Sequence, residues 1–247
     1  MTPALHLPGD WTSPNLLVRI LYTIGSDWEL GEKGLVDRVS GAVVQVRMGP
    51  AQPELAERMA AHDDPVFPSL SEDRVDAIGR HKSVLEASCA EGVEPRAACR
   101  ALLSCGSALI DGGAHAVWVP TGLAHGPERW QELAQLAGGT EGATVEEAEA
   151  VALHRAFVRP IVRGPGGWRT EGLRWLGHDE VVVDEEVAEP YAYDVLEALS
   201  QRLLAGPGLL GGEQLQPGKT GPSLLVTRAA DPGAETESAQ IWRVRPA

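Results

Sequence analysis

Apolar positions in the first half of the chain switch repeatedly between helical and strand-like spacing. The run that follows Ser13-Pro14 has helical spacing, and these two residues suit the N-cap and the first turn of a helix. Residues 28–49 contain β-branched runs broken by glycines, which predict two strands joined by a turn near Ser40-Gly41. A buried strand is predicted in the run KSVLEASC, and a long helix is predicted between Pro95 and the glycines that follow residue 111.

Two capping-box spacings predict further helix starts. Ser69 and Glu72 have this spacing at the start of the run EDRVDAIGRH, which begins at Glu72, and Thr144 and Glu147 have it at the end of the small-residue segment GGTEGAT, which ends at Thr144. A hairpin around GPGG, a strand in DEVVVDEE, an amphipathic helix in PYAYDVLEALSQRLLAG and two closing strands are predicted after that segment.

The order of these elements predicts an α+β fold with mixed or antiparallel sheets and helices on one face. Strand–helix–strand units with antiparallel pairing favour ferredoxin-like or similarly mixed halves. The glycine-rich segment near residues 138–143 predicts a boundary between an N-terminal half, 1–139, and a C-terminal half, 140–247. One continuous domain is the alternative.

The charge balance narrows the classes of partner. The chain has 247 residues, with 21 basic and 35 acidic side chains and a formal net charge of -14. Such a chain repels nucleic-acid backbones and anionic membranes, so neither is predicted as a partner. A macromolecular partner attracted by charge is expected to be basic.

Cellular location is inferred from the cysteines and from the N-terminal residues. Cys89, Cys99 and Cys105 form no Cys-x-x-Cys pair, which favours free buried thiols over a disulfide framework or a thiolate metal site. Neither a signal peptide nor an apolar run of membrane-spanning length is found, so a cytoplasmic protein is predicted.

The letters Gly218-Lys219-Thr220 raise the question of a phosphate-binding loop. That loop requires a glycine five positions before Gly218, where this chain has Glu213. Strand-like residues follow Thr220 in place of the helix whose N-terminus would face a phosphate. The segment is therefore predicted to be a turn, and no cofactor is predicted.

Histidines supply the candidates for catalysis. His115 and His125 bracket a predicted strand, and His125 and Glu128 lie at the start of the next helix. Imidazole and carboxylate groups in a cleft between the halves would suit a small-molecule enzyme or a divalent metal. The helical zinc signature His-Glu-x-x-His is absent, and no metal ligand set is predicted.

Candidates for partner binding lie later in the chain. Residues 141–189 carry 11 acidic and five basic side chains. Tryptophans are common anchors at protein interfaces. The candidate partner-binding residues are Trp168, Trp175, Asp179, Glu180, Asp184, Glu185 and Glu186. A charged edge strand that resists aggregation is the alternative interpretation.

Three segments stand out together: HAVWVPTGLAHGPERW, RHKSVLEASC and the pattern T-x-G-L-x-x-x-G-x-x-E, whose letters are Thr170, Gly172, Leu173, Gly177 and Glu180. With these segments the chain resembles a bacterial family with a domain of unknown function, the 4261 type. The resemblance implies kinship of fold and supplies no catalytic residue.

The sequence favours a non-catalytic protein, of interaction or immunity type, that masks a basic partner. An enzyme or small-molecule binder that uses His115, His125 and Glu128 is the rival hypothesis. A structural or assembly component is a third possibility.

Overall fold

The computed structural model describes residues 3–63, 68–139, 142, 144–164, 166–206, 208–216, 221–231 and 240–247. The elements of the N-terminal half are β1 (Ala4–Gly9), α1 (Pro14–Thr23), β2 (Trp28–Gly31), β3 (Gly34–Asp37), β4 (Val43–Pro50), α2 (Leu55–Ala60), α3 (Glu72–Gly79), β5 (Ser83–Ser88), α4 (Pro95–Asp111), β6 (Val117–Val119), β7 (Leu123–His125) and α5 (Pro127–Ala137). Those of the C-terminal half are α6 (Val145–Phe157), β8 (Arg159–Gly164), β9 (Gly167–Glu171), a 3₁₀ helix (Leu173–Leu176), β10 (Glu180–Val183), α7 (Glu189–Ala205), β11 (Gln214–Leu215), β12 (Leu224–Ala230) and β13 (Gln240–Pro246).

The first sheet has seven strands in the described ranges, in the order β2-β3-β4-β5-β1-β6-β7. Its central strands β4, β5, β1 and β6 pair antiparallel throughout. Numbered along the chain, those four strands have the ferredoxin-like order, with the hairpin β2–β3 added at one edge and β7 at the other. The predicted α+β class is confirmed, and this half has the predicted ferredoxin-like core.

Helices cover both faces of the first sheet. Long helix α4 packs on β1, β4 and β5, where Leu85 and Ala87 belong to the main core. Val84 points to the opposite face and packs in a smaller cluster with Met59 of α2 and Ile78 of α3. The prediction of helices on one face therefore misses α2 and α3, because β5 is buried on both sides.

The second sheet follows a different order. Its described strands run β11-β12-β13-β10-β9-β8, with β10 and β13 parallel and the other pairs antiparallel. Helix α7 lies in the connection between β10 and the closing strands, and it packs on β8, β9 and β10. This half is mixed and is not a second copy of the ferredoxin-like order.

One hydrophobic cluster runs through both halves. It contains Leu7 of the first sheet, Leu102 of α4, Leu153 of α6 and Val244 of the second sheet, all almost completely buried. Helix α4 contacts α5 and α6, and α6 contacts α5 and α7. The helices therefore form the layer through which the two sheets share a core.

Two local predictions are corrected by the structure. Residues 28–50 form three strands, because an additional turn at Glu32-Lys33 separates β2 from β3. The N-cap of α3 is Ser71, whose side chain accepts a hydrogen bond from the Arg74 N–H. Ser69 instead donates its hydroxyl and its backbone N–H to Asp63. The capping box at Thr144 and Glu147 is present as predicted.

A charged group links the two halves. The Glu149 carboxylate of α6 accepts from Arg96 at 2.7 Å and from Arg100 at 2.6 Å, and both arginines lie on α4. Arg96 also donates to the Leu204 carbonyl at the end of α7. Burial opposes ionisation of Glu149, but its bonds to the two guanidinium groups prevail and lower its pKa.

Removing the Glu149 charge is expected to weaken the link between α4 and α6. Glu149→Gln should lower the free energy of unfolding by about 2 kcal/mol, because the partly buried Arg96 guanidinium and the more exposed Arg100 guanidinium both lose a buried counter-ion. Urea denaturation at neutral pH measures the change. The matched variant Glu146→Gln, on the exposed face of the same helix, should cost no more than about 0.5 kcal/mol. Equal losses for the two variants would contradict a role for the Glu149 ion pairs.

Candidate functional site

The three residues of the predicted catalytic group have separate partners. His115 is half-buried, with its Nε2 3.4 Å from the Asp10 carboxylate. His125 is buried against Trp130, and its Nε2 donates to the Ala156 carbonyl at 3.1 Å. Glu128 is exposed and pairs with Arg74 at 3.0 Å. The contacts of these side chains therefore do not join them into one reaction site.

No metal centre is found among the residues that the structure describes. Within those ranges, no group of three or more histidine, cysteine, aspartate or glutamate side chains lies close enough to hold a metal ion. None of the described helices is both long and apolar enough to cross a membrane. The segment Gly218-Lys219-Thr220, predicted to be a turn, lies outside the described residues.

The predicted partner-binding residues divide between the two ends of β10. Trp168 pairs with Val183 across the sheet, so it lies beside Asp184, Glu185 and Glu186 at the C-terminal end of the strand. Glu185 and Glu186 are exposed, whereas Asp184 accepts a hydrogen bond from Arg243 at 2.7 Å. Trp168 is half-buried and stacks with the Arg163 guanidinium. This end of β10 therefore forms one small acidic corner.

The other predicted residues do not contribute to that corner. Asp179 lies at the opposite end of β10 and pairs with Arg228. Trp175 and Glu180 are only 8% and 4% exposed, so neither can contact a partner at the surface. These two residues are corrected from partner binding to internal roles: Trp175 is buried in the 3₁₀ helix, and the Glu180 carboxylate at the start of β10 turns inward to accept hydrogen bonds from that helix.

Glu180 binds several residues of the segment that contains the pattern T-x-G-L-x-x-x-G-x-x-E. Its carboxylate accepts the Thr170 hydroxyl at 2.6 Å and the backbone N–H groups of Gly172, Leu173 and Arg174 at 2.9 to 3.3 Å. Gly172 has φ of +116°, and a Cβ there would lie 2.2 Å from the Phe157 carbonyl oxygen. The pattern is therefore a structural unit in which a buried acid caps the 3₁₀ helix.

A cleft that the sequence does not reveal lies between the end of α1, the β2–β3 hairpin, α4 and α5. Its volume is about 880 Å³, within the range of ligand sites. The Trp28 indole N–H donates to the Ser104 hydroxyl at 3.2 Å, and both residues line the cleft. Its charged lining residues are Asp27, Asp37, Asp111 and Arg100.

Most of the positive charge at this cleft is already engaged. Arg100 is bound to Glu149, and the nearby Arg38 pairs with Asp27 at 3.3 Å. Asp37 and Asp111 have no ion-pair partner among the described residues, although Asp111 accepts the Gln131 amide at 2.6 Å. These aspartates come from distant parts of the chain, so spacing in the sequence could not have grouped them.

Asp37 is held in its charged form by a local turn. Partial burial opposes its ionisation, but the Ser40 hydroxyl and the backbone N–H groups of Val39 and Ser40 donate to it and lower its pKa. The Val39 N–H is 3.0 Å from the Asp37 carboxylate. An ionised carboxylate is therefore fixed in the cleft. This cleft is the candidate site, and it suits a cationic group.

Comparison of the chain with protein-family models, with curated proteins and with solved structures finds no match. The resemblance to the 4261-type family of unknown function stays a prediction.

One histidine lies deep in the helical layer, away from the cleft lining. His154 of α6 is 2% exposed, and neither of its ring nitrogens has a hydrogen-bond partner within the described ranges. Burial, with a smaller effect from the Arg155 charge, lowers the pKa of His154 to about 4. The neutral imidazole therefore acts as a core residue.

Loss of the Glu180 carboxylate is expected to disrupt the 3₁₀ segment. Glu180→Ala should lower the free energy of unfolding by about 3 kcal/mol, because it leaves buried backbone N–H groups and the Thr170 hydroxyl without their acceptor. Chemical denaturation measures the loss. Glu171→Ala, on the adjacent strand β9, is the matched control and should change stability by less than about 1 kcal/mol. A mild effect of Glu180→Ala would contradict the capping role.

His154 is expected to make stability depend on pH. Its pKa is lower in the folded protein than the ordinary value of 6.5, so the unfolded chain binds more protons between these values. The stabilisation is present above pH 6.5 and is lost as the pH falls towards about 4. His154→Leu should reduce the slope of unfolding free energy in this window by up to about 1.4 kcal/mol per pH unit. Denaturation at several pH values measures the slope, and an unchanged slope would be evidence against a buried neutral imidazole.

Proposed function

We propose that this protein is a non-catalytic interaction protein, of immunity type, that binds a basic protein partner through the acidic cleft. The observation that carries the proposal is the cleft of about 880 Å³ lined by Asp27, Asp37 and Asp111, whose lining arginine, Arg100, is bound to Glu149. Asp27 already pairs with Arg38, whereas Asp37 and Asp111 have no ion-pair partner among the described residues. A lysine or arginine side chain can therefore approach Asp37 and Asp111 without breaking one of the protein's own ion pairs.

The surplus of acidic side chains supports the proposal. Asp231 is buried and bridges Arg169 and Arg174, and Glu213 pairs with Arg202. Ion pairs of this kind leave unchanged the surplus of acidic side chains that gives the net charge of -14. That surplus speeds the encounter with a cationic surface.

A nucleic-acid partner and the rival enzyme hypothesis have less support than a basic protein partner. A nucleic acid would bring phosphates towards the aspartates of the cleft, and the resulting repulsion opposes binding. The rival enzyme hypothesis needs His115, His125 and Glu128 to converge, and each of these has a separate partner. No observation on these three residues favours catalysis.

Binding to a basic protein is expected to depend on salt and on the cleft aspartates. The immobilised protein should retain a basic protein from an extract of its own cells at low salt and release it at high salt. The exposed pair Asp27→Asn/Asp111→Asn should reduce the rate of association with the purified partner by about tenfold. Surface plasmon resonance measures this rate.

Two matched charge variants locate the binding surface. Glu54→Gln/Glu57→Gln on α2 removes the same charge and should leave the rate within about twofold of the unmodified protein. Glu185→Gln/Glu186→Gln removes two negative charges from the acidic corner beside Trp168. Failure to retain any basic protein would overturn the proposed function, and a rate reduced only by the corner variant would overturn the assignment to the cleft.

A further inference from the structure

An apolar groove adjoins the acidic cleft. It lies between α1 and the edge strand β2 and has a volume of about 500 Å³. Its apolar lining includes Val18, Leu21, Tyr22 and Leu30, and its charged lining residues are Glu29 and Arg38, which pairs with Asp27. The groove and the cleft share Gly25, Ser26 and Trp28, so they form one continuous depression.

The side chains around this depression are unusually exposed for their type. Tyr22 and Leu30 at the groove are 86% and 61% exposed, and Val39 and Ile24 at the cleft are 79% and 46% exposed. These four are half of the eight large hydrophobic side chains that are exposed in the described ranges. Clustered apolar exposure beside polar groups is characteristic of interaction sites, whereas single exposed residues are ordinary.

The charge of the surroundings identifies the occupant. The depression is lined by the four acids Asp27, Glu29, Asp37 and Asp111 and by two arginines that already pair with acids, Arg38 and Arg100. A second copy of this chain would bring another net charge of -14 to this acidic surface. Repulsion between the copies therefore disfavours self-association. A purely apolar partner would leave the fixed Asp37 carboxylate without a counter-ion in a covered cleft, and that burial is costly.

We infer that the depression binds a basic amphipathic segment of the partner, with an apolar side chain in the groove against Tyr22 and Leu30 and a lysine or arginine in the cleft near Asp37. This inference rests on the proposed function and adds the chemistry of the partner's contact segment. The apolar anchor supplies affinity through buried area, and the cation supplies the encounter rate and the register.

Defined peptides test the inference without the natural partner. The probes are fluorescein-labelled peptides of equal length that alternate lysine with leucine, lysine with serine, or glutamate with leucine. Fluorescence anisotropy should show the lysine–leucine peptide binding about tenfold more tightly than the lysine–serine peptide, because only the first can fill the groove. The glutamate–leucine peptide should not bind.

Variants of exposed residues assign the contact. Tyr22→Ser/Leu30→Ser should reduce the affinity for the lysine–leucine peptide to that for the lysine–serine peptide, with unchanged circular dichroism. Val145→Ser/Leu210→Ser, at two other exposed hydrophobic positions, is the matched control and should keep the preference. Hydrogen exchange with and without the lysine–leucine peptide should protect residues 18–30.

The outcomes separate the inference from the proposed function. Equal binding of both lysine peptides, or a preference that survives Tyr22→Ser/Leu30→Ser, would overturn the inference and leave a charge-driven interaction protein. Failure of both lysine peptides to bind would count against both proposals. Sedimentation that shows a dimer of the unmodified protein, abolished by Tyr22→Ser/Leu30→Ser, would instead make the groove an interface between copies.

Discussion

Contact between α4 and α6 decides how the two sheets of this protein are arranged. Helix α4 lies on the first sheet and also meets α6 and the 3₁₀ helix of the C-terminal half, so its apolar side chains serve both halves. Apolar burial stabilises this layer but does not by itself select one alignment of the helices. The bonds from Arg96 and Arg100 to Glu149 do require one register of α4 against α6. Helix α4 also forms one wall of the cleft, where Arg100 is both a lining residue and a partner of Glu149.

The fold neutralises its buried acids and leaves others without a counter-ion. Acids that the fold buries are matched by arginines or by backbone N–H groups, as at Asp231 and Glu180. The acids without an ion-pair partner in the described ranges include Glu57 and Glu146 on exposed helix faces and Asp37 and Asp111 in the cleft. The surplus negative charge is therefore spread over the surface, and Asp37 and Asp111 carry it into the cleft.

Local signals in the sequence predicted the elements and the α+β class, because proline, glycine and capping residues act over a few positions. The N-cap at Ser13 and the capping box at Thr144 are examples. Contacts between residues that are far apart in the chain could not be predicted in this way. An acidic residue at position 180 suggested an exposed side chain. Nothing in the sequence indicates that four hydrogen-bond donors converge on its carboxylate. The cleft brings together Asp27 of the α1–β2 loop, Asp37 at the end of β3 and Asp111 at the end of α4, and no spacing along the chain predicts that grouping.

The depression exists because α1 ends early. Its C-cap is Ile24, and Gly25 follows with φ of +70°, a left-handed conformation that turns the chain away towards β2. The turn leaves Leu30 and Tyr22 exposed, so the apolar area of these two side chains is not buried within the protein. Exposed apolar side chains, and a nearby carboxylate that its own turn keeps ionised, are the two features on which the proposed binding of a basic amphipathic segment rests.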